Sequence, residues 1–311
     1  MDIAALQYIY GPSKTSRTGN DSYKLTATEP NFIWDGAGID TLDASALNQG
    51  ATLYLSPGYW GYVGSAKATT ITAPGQVTVN FGTAIENLTG TAFADKLYGN
   101  ELGNLMLGGM GNDWLEGWAG DDTLVGGQGD DQLLGGAGID TAQYSGTYAN
   151  YNFTASANSF SVKDKRSNAD GIDVLTSVER LKFSDKSVAI DLDGNAGIVA
   201  KVIGAVLGSD AIKLSNVVGI GLRYVDNGMS YADLGLTALN AVSALTPDAI
   251  VSTLWRNVVG TIATATDKAP FLKMLADGTQ PGDLVMLAGD FSLNINKIGL
   301  VGLAQTGIEF S

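Results

Sequence analysis

A nine-residue register, held without a gap from Gly90 to Gln143, constrains this chain more than any other feature. Six consecutive blocks occupy it. Three keep the frame G-G-x-G-x-D-x-(apolar)-x in full or nearly so: Gly108–Glu116 (GGMGNDWLE), Gly117–Val125 (GWAGDDTLV) and Gly126–Leu134 (GGQGDDQLL). Gly135–Gln143 (GGAGIDTAQ) keeps the turn but has Ala142 at the apolar position. Gly90–Tyr98 and Gly99–Leu107 are degenerate. A flexible Gly/Asp linker has no reason to hold one register through six cycles.

The frame has a direct physical reading. Glycine lets the backbone take positive φ and turn tightly. Gly108, Gly109 and Gly111 supply such a turn, as do Gly117 and Gly120, then Gly126, Gly127 and Gly129, then Gly135, Gly136 and Gly138. A carboxylate at the sixth position sits inside that turn beside inward carbonyls, and hard oxygens of this kind suit Ca²⁺. The same frame recurs in calcium-binding parallel β-helices. The last three residues of a block suffice for one short strand with its middle side chain pointing inward. Those side chains are Leu97, Met106, Leu115, Leu124, Leu133 and Ala142. Two blocks then complete one coil of a parallel β-roll. Six inward apolar side chains are few for 54 residues, and the stretch carries nine acidic residues against the single Lys96. Without cations it is expected to be expanded, and with several Ca²⁺ ions binding energy becomes folding energy.

Composition narrows the function further. A chain of 311 residues has room for about two domains, and 45% hydrophobic content can supply a core. The net charge of −14 argues against nucleic acid and anionic membrane surfaces as partners. There is no Cys, hence no disulfide or thiolate metal site. There is no His, which removes His-ligated zinc, Ser-His-Asp triads and any imidazole base. No transmembrane span is evident. Met1–Tyr10 lacks the basic and long apolar parts of a signal peptide. The expectation is leaderless export to the cell exterior or surface, where calcium is high enough to fold the roll.

Several segments outside the repeats resemble the serralysin family of secreted metallopeptidases. Asp2–Gly11 (DIAALQYIYG) is similar to the last helix of the serralysin peptidase domain, and Arg17–Tyr23 (RTGNDSY) to the segment that follows it. Ile33–Ser45 (IWDGAGIDTLDAS) resembles the first calcium-binding turn of the family's C-terminal domain. Leu55–Gly58 and Ala84–Asn87 match further landmarks, and Asp170–Leu175 with Val178–Phe183 resembles a segment found downstream of such repeats. The resemblance covers roughly residues 1–145. It implies calcium-binding carboxylates at Asp95, Asp113, Asp122, Asp131 and Asp140, with Asp35, Asp40 and Asp43 near the upstream turn. Asn104 takes the place of aspartate in the second block, so that site is expected to be weaker. Blocks two apart would share an ion, which allows about four ions in the roll. Asp121 and Asp130 are read as solvated rather than ligating. Serralysins are zinc endopeptidases with an H-E-x-x-H helix. A chain without histidine has no counterpart of it, so proteolysis is not carried over.

The expected fold class is mainly β, then α: residues 1–30 a remnant helix and linker, 31–190 the calcium-binding parallel β-roll, 191–311 a small helical domain. Residues 51–88 and Tyr144–Phe160 read as strands, as does Val174–Phe183, with a charged turn at Lys163–Asp170. Tyr54, Tyr59, Trp60 and Tyr62 read first as strand core and turn, and second as a sugar platform. Asp191–Asn195 (DLDGN) resembles the start of an EF-hand loop, but Val202 stands where the twelfth-position Glu belongs. Thr246-Pro247-Asp248 starts a helix with an N-cap and Pro at the first position, and Ile250, Leu254 and Val258 form one face of it. Ser230 with Asp233 resembles a capping box, and Gly228 and Gly278 resemble C-caps. Gly307–Ser311 is near the acidic-plus-apolar tail of type I secretion substrates.

Three functions compete. The leading one is a secreted, non-catalytic RTX calcium-binding module that uses the type I secretion machinery and supports a metallopeptidase-type protein. The second is a calcium-dependent structural or surface-layer subunit, with self-assembly or a protein partner engaged through the helical tail. The third is a carboxylate-only enzyme acting on polysaccharide.

Overall fold

The computed structural model describes residues 17–156, 159–167 and 169–311. The helix expected at Asp2–Gly11 lies outside them. The chain divides into two compact units, one ending at Asp185 and one running from Lys186 to Ser311.

The first unit is built from two parallel-rich sheets that the chain visits in alternation. Asn87–Thr89, Leu105–Met110, Thr123–Gln128 and Thr141–Gln143 lie side by side in one sheet. Lys96–Asn100, Trp114–Ala119 and Gln132–Ala137 lie in the other. Parallel neighbours normally need a long crossover, often a helix. Here each turn swings the chain to the opposite sheet, so the next strand but one falls beside the first. The register is Leu88↔Met106↔Leu124↔Ala142 in one sheet and Leu97↔Leu115↔Leu133 in the other. All six inward residues expected from the repeats are completely buried.

The stacks extend beyond the repeats in both directions. Upstream, Leu42 of Thr41–Asp43 pairs with Leu88, and Leu53 of Ala51–Tyr54 pairs with Leu97. Trp60–Val63 and Gln76–Val79 add antiparallel strands, and Asn31–Ile33 pairs parallel to Gln76–Val79. Downstream, Tyr151–Ala155 and Phe160–Asp164 form an antiparallel hairpin. Ile172–Thr176 then returns beside Gln132–Ala137, and Arg180–Lys182 beside Thr141–Gln143, placing Leu175 and Leu181 on the two stacks. The expected strand over Tyr144–Phe160 is thus broken. Thr147 donates its N–H to Asn150 Oδ1, a short 3₁₀ turn spans Tyr148–Asn150, and Phe160 opens the second hairpin strand. The charged turn is closed by Arg166, which donates to Asp164, Asp170, Tyr151 and Ser145.

The second unit holds eight α-helices among the described residues, from Asn195–Val202 to Leu300–Thr306. Ser187–Ala189 and Ile308–Phe310 pair antiparallel. Local chemistry sets the helix ends. Thr246 accepts the Ala249 N–H ahead of Pro247–Val258, and Ser230 accepts the Asp233 N–H ahead of Tyr231–Ala241. Gly228 (φ +87°) and Gly278 (φ +106°) follow helix ends, and the next residues, Met229 and Thr279, donate back to Tyr224 O and Met274 O. Ile250, Leu254 and Val258 join Val199, Leu222, Leu239 and Val285 in one buried core. No helix among the described residues is long and apolar enough to cross a membrane.

Candidate metal centre

Each complete repeat block buries the aspartate of its turn. Asp113, Asp122, Asp131 and Asp140 are at most 2% exposed. One oxygen of each is a staple between coils. The N–H of Asp95 donates to Asp113 Oδ1 (2.9 Å) and that of Asn104 to Asp122 Oδ1 (2.7 Å). The N–H of Asp113 donates to Asp131 Oδ1 (2.8 Å) and that of Asp122 to Asp140 Oδ1 (2.9 Å). The ladder continues outside the repeats: Asp131 N–H to Asp173 Oδ1 (3.0 Å), Asp140 N–H to Glu179 Oε2 (2.9 Å) and Asp40 N–H to Glu86 Oε2 (2.8 Å).

The second oxygen is different. Oδ2 of Asp40, Asp113, Asp122, Asp131 and Asp140 is buried and has no hydrogen-bond partner among the described residues. Burying a charged oxygen bare is costly. The first glycine of each block shows what shares that space. A Cβ at Gly108, Gly117, Gly126 or Gly135 would collide with the Oδ2 of Asp113, Asp122, Asp131 or Asp140 respectively. At Gly108, Gly117 and Gly135 it would also collide with a carbonyl oxygen of the next coil, from Gly126, Gly135 and Ser177. Carboxylate and carbonyl oxygens therefore converge on one space, the donor set that calcium takes. The remaining frame glycines, Gly109, Gly111, Gly120, Gly127, Gly129, Gly136 and Gly138, all have positive φ.

In the degenerate blocks both polar atoms of the frame residue have hydrogen-bond partners. Asp95 accepts the Thr91 N–H on Oδ2 and the Ala51 N–H on Oδ1, both at 2.6 Å. Asn104 accepts the Asn100 N–H and donates its amide to Glu86 O and Asn100 Oδ1. The aspartates one place before the frame position are not merely solvated. Asp121 Oδ1 accepts the Ile139 N–H and Asp130 Oδ1 the Ile172 N–H, each at 2.8 Å.

A second acidic group forms upstream. Carboxylate oxygens of Asp21, Asp35 and Asp40 lie within 4.8 Å of one another. The Asp21 N–H donates to Asp40 Oδ1 (2.7 Å), and Tyr23 donates its hydroxyl to Asp35. Asp43 is not brought to this group; its Oδ1 accepts the Ser45 N–H. Sequence reading missed Asp21, Glu86, Asp173 and Glu179, which lie outside the nine-residue frame and meet it only through pairing. The DLDGN segment forms a helix start, with Asp191 accepting the Ala196 N–H.

Burial dominates the electrostatics. It pushes the Asp113 and Asp173 carboxyls up to about 8, Asp122 to about 7, and Asp131 and Asp140 to about 6, with neighbouring carboxylates adding to the rise. Burial likewise lifts Asp40 to about 6. A divalent cation reverses this balance, because it stabilises the ionised form that burial disfavours.

Comparison with known proteins matches this geometry. Residues 107–142 match the family model of the RTX calcium-binding nonapeptide repeat, in four copies. Serralysin from Proteus mirabilis is 33% identical over 119 residues, which cover 34% of this chain and 23% of the relative. Serralysin C from Dickeya chrysanthemi is 37% identical over 110 residues, covering 31% of this chain and 22% of the relative. The chain thus spans about a quarter of the length of the curated relatives it matches. A local match to the crystal structure of extracellular lipase LipA from Serratia marcescens covers 28% of this chain and 14% of that one, with 24% identity and a TM-score of 0.24. The chain carries an RTX calcium-binding repeat region homologous to that of the serralysins.

Proposed function

We propose that this chain is a non-catalytic extracellular module whose roll folds when calcium fills the turns, after export by a type I route. The observation that carries the reading is the row of buried Oδ2 atoms at Asp113, Asp122, Asp131 and Asp140 that have no partner among the described residues. Calcium would be held by these oxygens and the carbonyls beside them, with Asp21, Asp35 and Asp40 forming a further site. Peptidase activity is not carried over from the relatives, since the matched segments are repeat-region segments of 110–119 residues and the chain has no histidine. Titration from EDTA into millimolar Ca²⁺, followed by circular dichroism with light scattering, tests the reading. A compact β signal that appears only with calcium, in a monomer, supports it. An unchanged spectrum refutes it.

A calcium-dependent assembly subunit is the second reading. It is favoured by exposed apolar side chains on the helical unit: Ile262 is 91%, Val301 79% and Leu245 68% exposed. Growth of large particles after the calcium transition would select it.

A further inference from the structure

Tryptophan stands at a backbone position that the neighbouring coils give to glycine. Trp118 is the second residue of its block. Its counterparts Gly109, Gly127 and Gly136 have φ of +114°, +106° and +119°, and Trp118 itself has φ +77°. A bulky side chain in this region is an outlier, and such strain concentrates where a side chain has a task. In register, Trp118 lies between Asn100 and Gly136. Gly136 has no side chain to cover the indole, and a Cβ there would collide with the Trp118 carbonyl.

The strained indole completes an aromatic cluster on the outer face of the sheet. Leu53, Leu97 and Leu115 point inward and are fully buried, so their neighbours Tyr54, Tyr98 and Glu116 point outward in one row. Tyr54 and Tyr98 stack at 4.6 Å with an interplanar angle of 8°. Tyr59 stacks on Tyr54 at 5.3 Å and meets Trp118 edge-on at 5.2 Å and 63°. Tyr59 is half exposed. Glu116 stands beside the stack, its carboxylate accepting the Trp114 indole N–H at 3.2 Å. These aromatics lie outside the buried leucine stack, and among them only Trp118 belongs to a repeat turn.

We propose that this face binds an uncharged polysaccharide chain, with the Tyr59–Trp118 corner as the stacking surface. Flat rings take up the apolar faces of sugar rings, and tyrosine hydroxyls and the Glu116 carboxylate offer hydrogen bonds to sugar hydroxyls. Nucleobases also stack on aromatic platforms, but binding a strand needs a positively charged groove. The −14 charge of this chain opposes that. An anionic glycan is disfavoured on the same ground.

The test uses the full chain in millimolar Ca²⁺ with cellohexaose, laminarihexaose, xylohexaose and chitohexaose as calorimetric probes. At least one is expected to bind, and Trp118→Gly and Tyr59→Ala are each expected to weaken it tenfold or more. Trp118→Gly restores the residue that the turn prefers, so it is also expected to raise the melting temperature of the calcium-loaded roll. That pairing separates a ligand role from packing, because a merely structural tryptophan would lower the melting temperature when removed. Failure of all four sugars to bind overturns the proposal. So does Trp118→Gly binding that equals the parent's, a lower melting temperature in that variant, or retention of poly(dT) in place of the glycans. The calcium reading is independent, since the dichroism transition in the same samples reports on it separately.

Discussion

The backbone N–H of Asp113 donates to Oδ1 of Asp131, eighteen residues on, at 2.8 Å, while Oδ2 of the same carboxylate is buried without a partner among the described residues. One side chain thus performs two tasks: it staples two coils through one oxygen and presents the other to the turn. Asp131→Asn separates them. The amide oxygen can keep the staple, but the amide nitrogen then points donors where a cation would sit. Calcium affinity follows the number of ligand charges. The midpoint of the calcium-induced dichroism change is expected to rise about tenfold, or ~1.4 kcal/mol. A midpoint equal to the parent's would show that this oxygen holds no ion.

Acid should act in opposite directions with and without metal. The carboxyls of Asp113, Asp122, Asp131 and Asp140 are raised in the fold to between about 6 and about 8, against an ordinary value of 3.8. A raised carboxyl binds its proton more tightly in the folded state. Its stabilising contribution is therefore complete below the unfolded value and is lost as pH rises through the folded one. In EDTA, β signal is expected to grow as pH falls from 8 to 5. In calcium the ions must displace those protons, so the calcium midpoint should rise over the same range. A roll that loses structure in EDTA on acidification would contradict the burial of bare carboxylates.

Much of this roll is legible in one line of sequence, because a strict nine-residue period fixes which side chain faces inward. Leu97, Met106, Leu115, Leu124, Leu133 and Ala142 are all fully buried. What the period could not show is where the ladder ends. Asp173 and Glu179 enter only because the chain leaves at Tyr144, forms a hairpin and returns to the same sheets. That is a long-range event with no local signature. Asp121 and Asp130 are exposed, as their variable positions suggest, but their backbone partners, Ile139 and Ile172, are brought near only by coiling. Trp118 takes a glycine place within a block that otherwise keeps the frame, and only the positions of Tyr59 and Tyr98 give that exception a meaning.

The degenerate blocks should behave as structure rather than as metal sites. Asp95 has both oxygens engaged by backbone N–H groups, and Thr91 adds a hydroxyl contact at 3.2 Å. Asp95→Asn replaces an acceptor with a donor facing one of those N–H groups. Losing a buried hydrogen bond costs about 1–3 kcal/mol. The melting temperature of the calcium-loaded roll is expected to drop, while the number of ions bound, counted by calorimetry, stays the same. One ion fewer would place Asp95 among the ligands.

The helical unit offers a control for all of these. Its core residues, among them Val199, Leu222, Leu254 and Val285, come from the chain after Lys186, and none belongs to a repeat turn. The cap at Thr246 is local: its side chain accepts the Ala249 N–H at 3.2 Å, and Pro247 occupies the first helical position. Removing such a cap costs about 1 kcal/mol. Thr246→Ala is expected to lower the unfolding free energy of the helical unit by that amount, followed at 222 nm, equally in EDTA and in calcium. If the loss appears only in calcium, the two units fold as one, and the stability of the helices must be assigned to the metal as well.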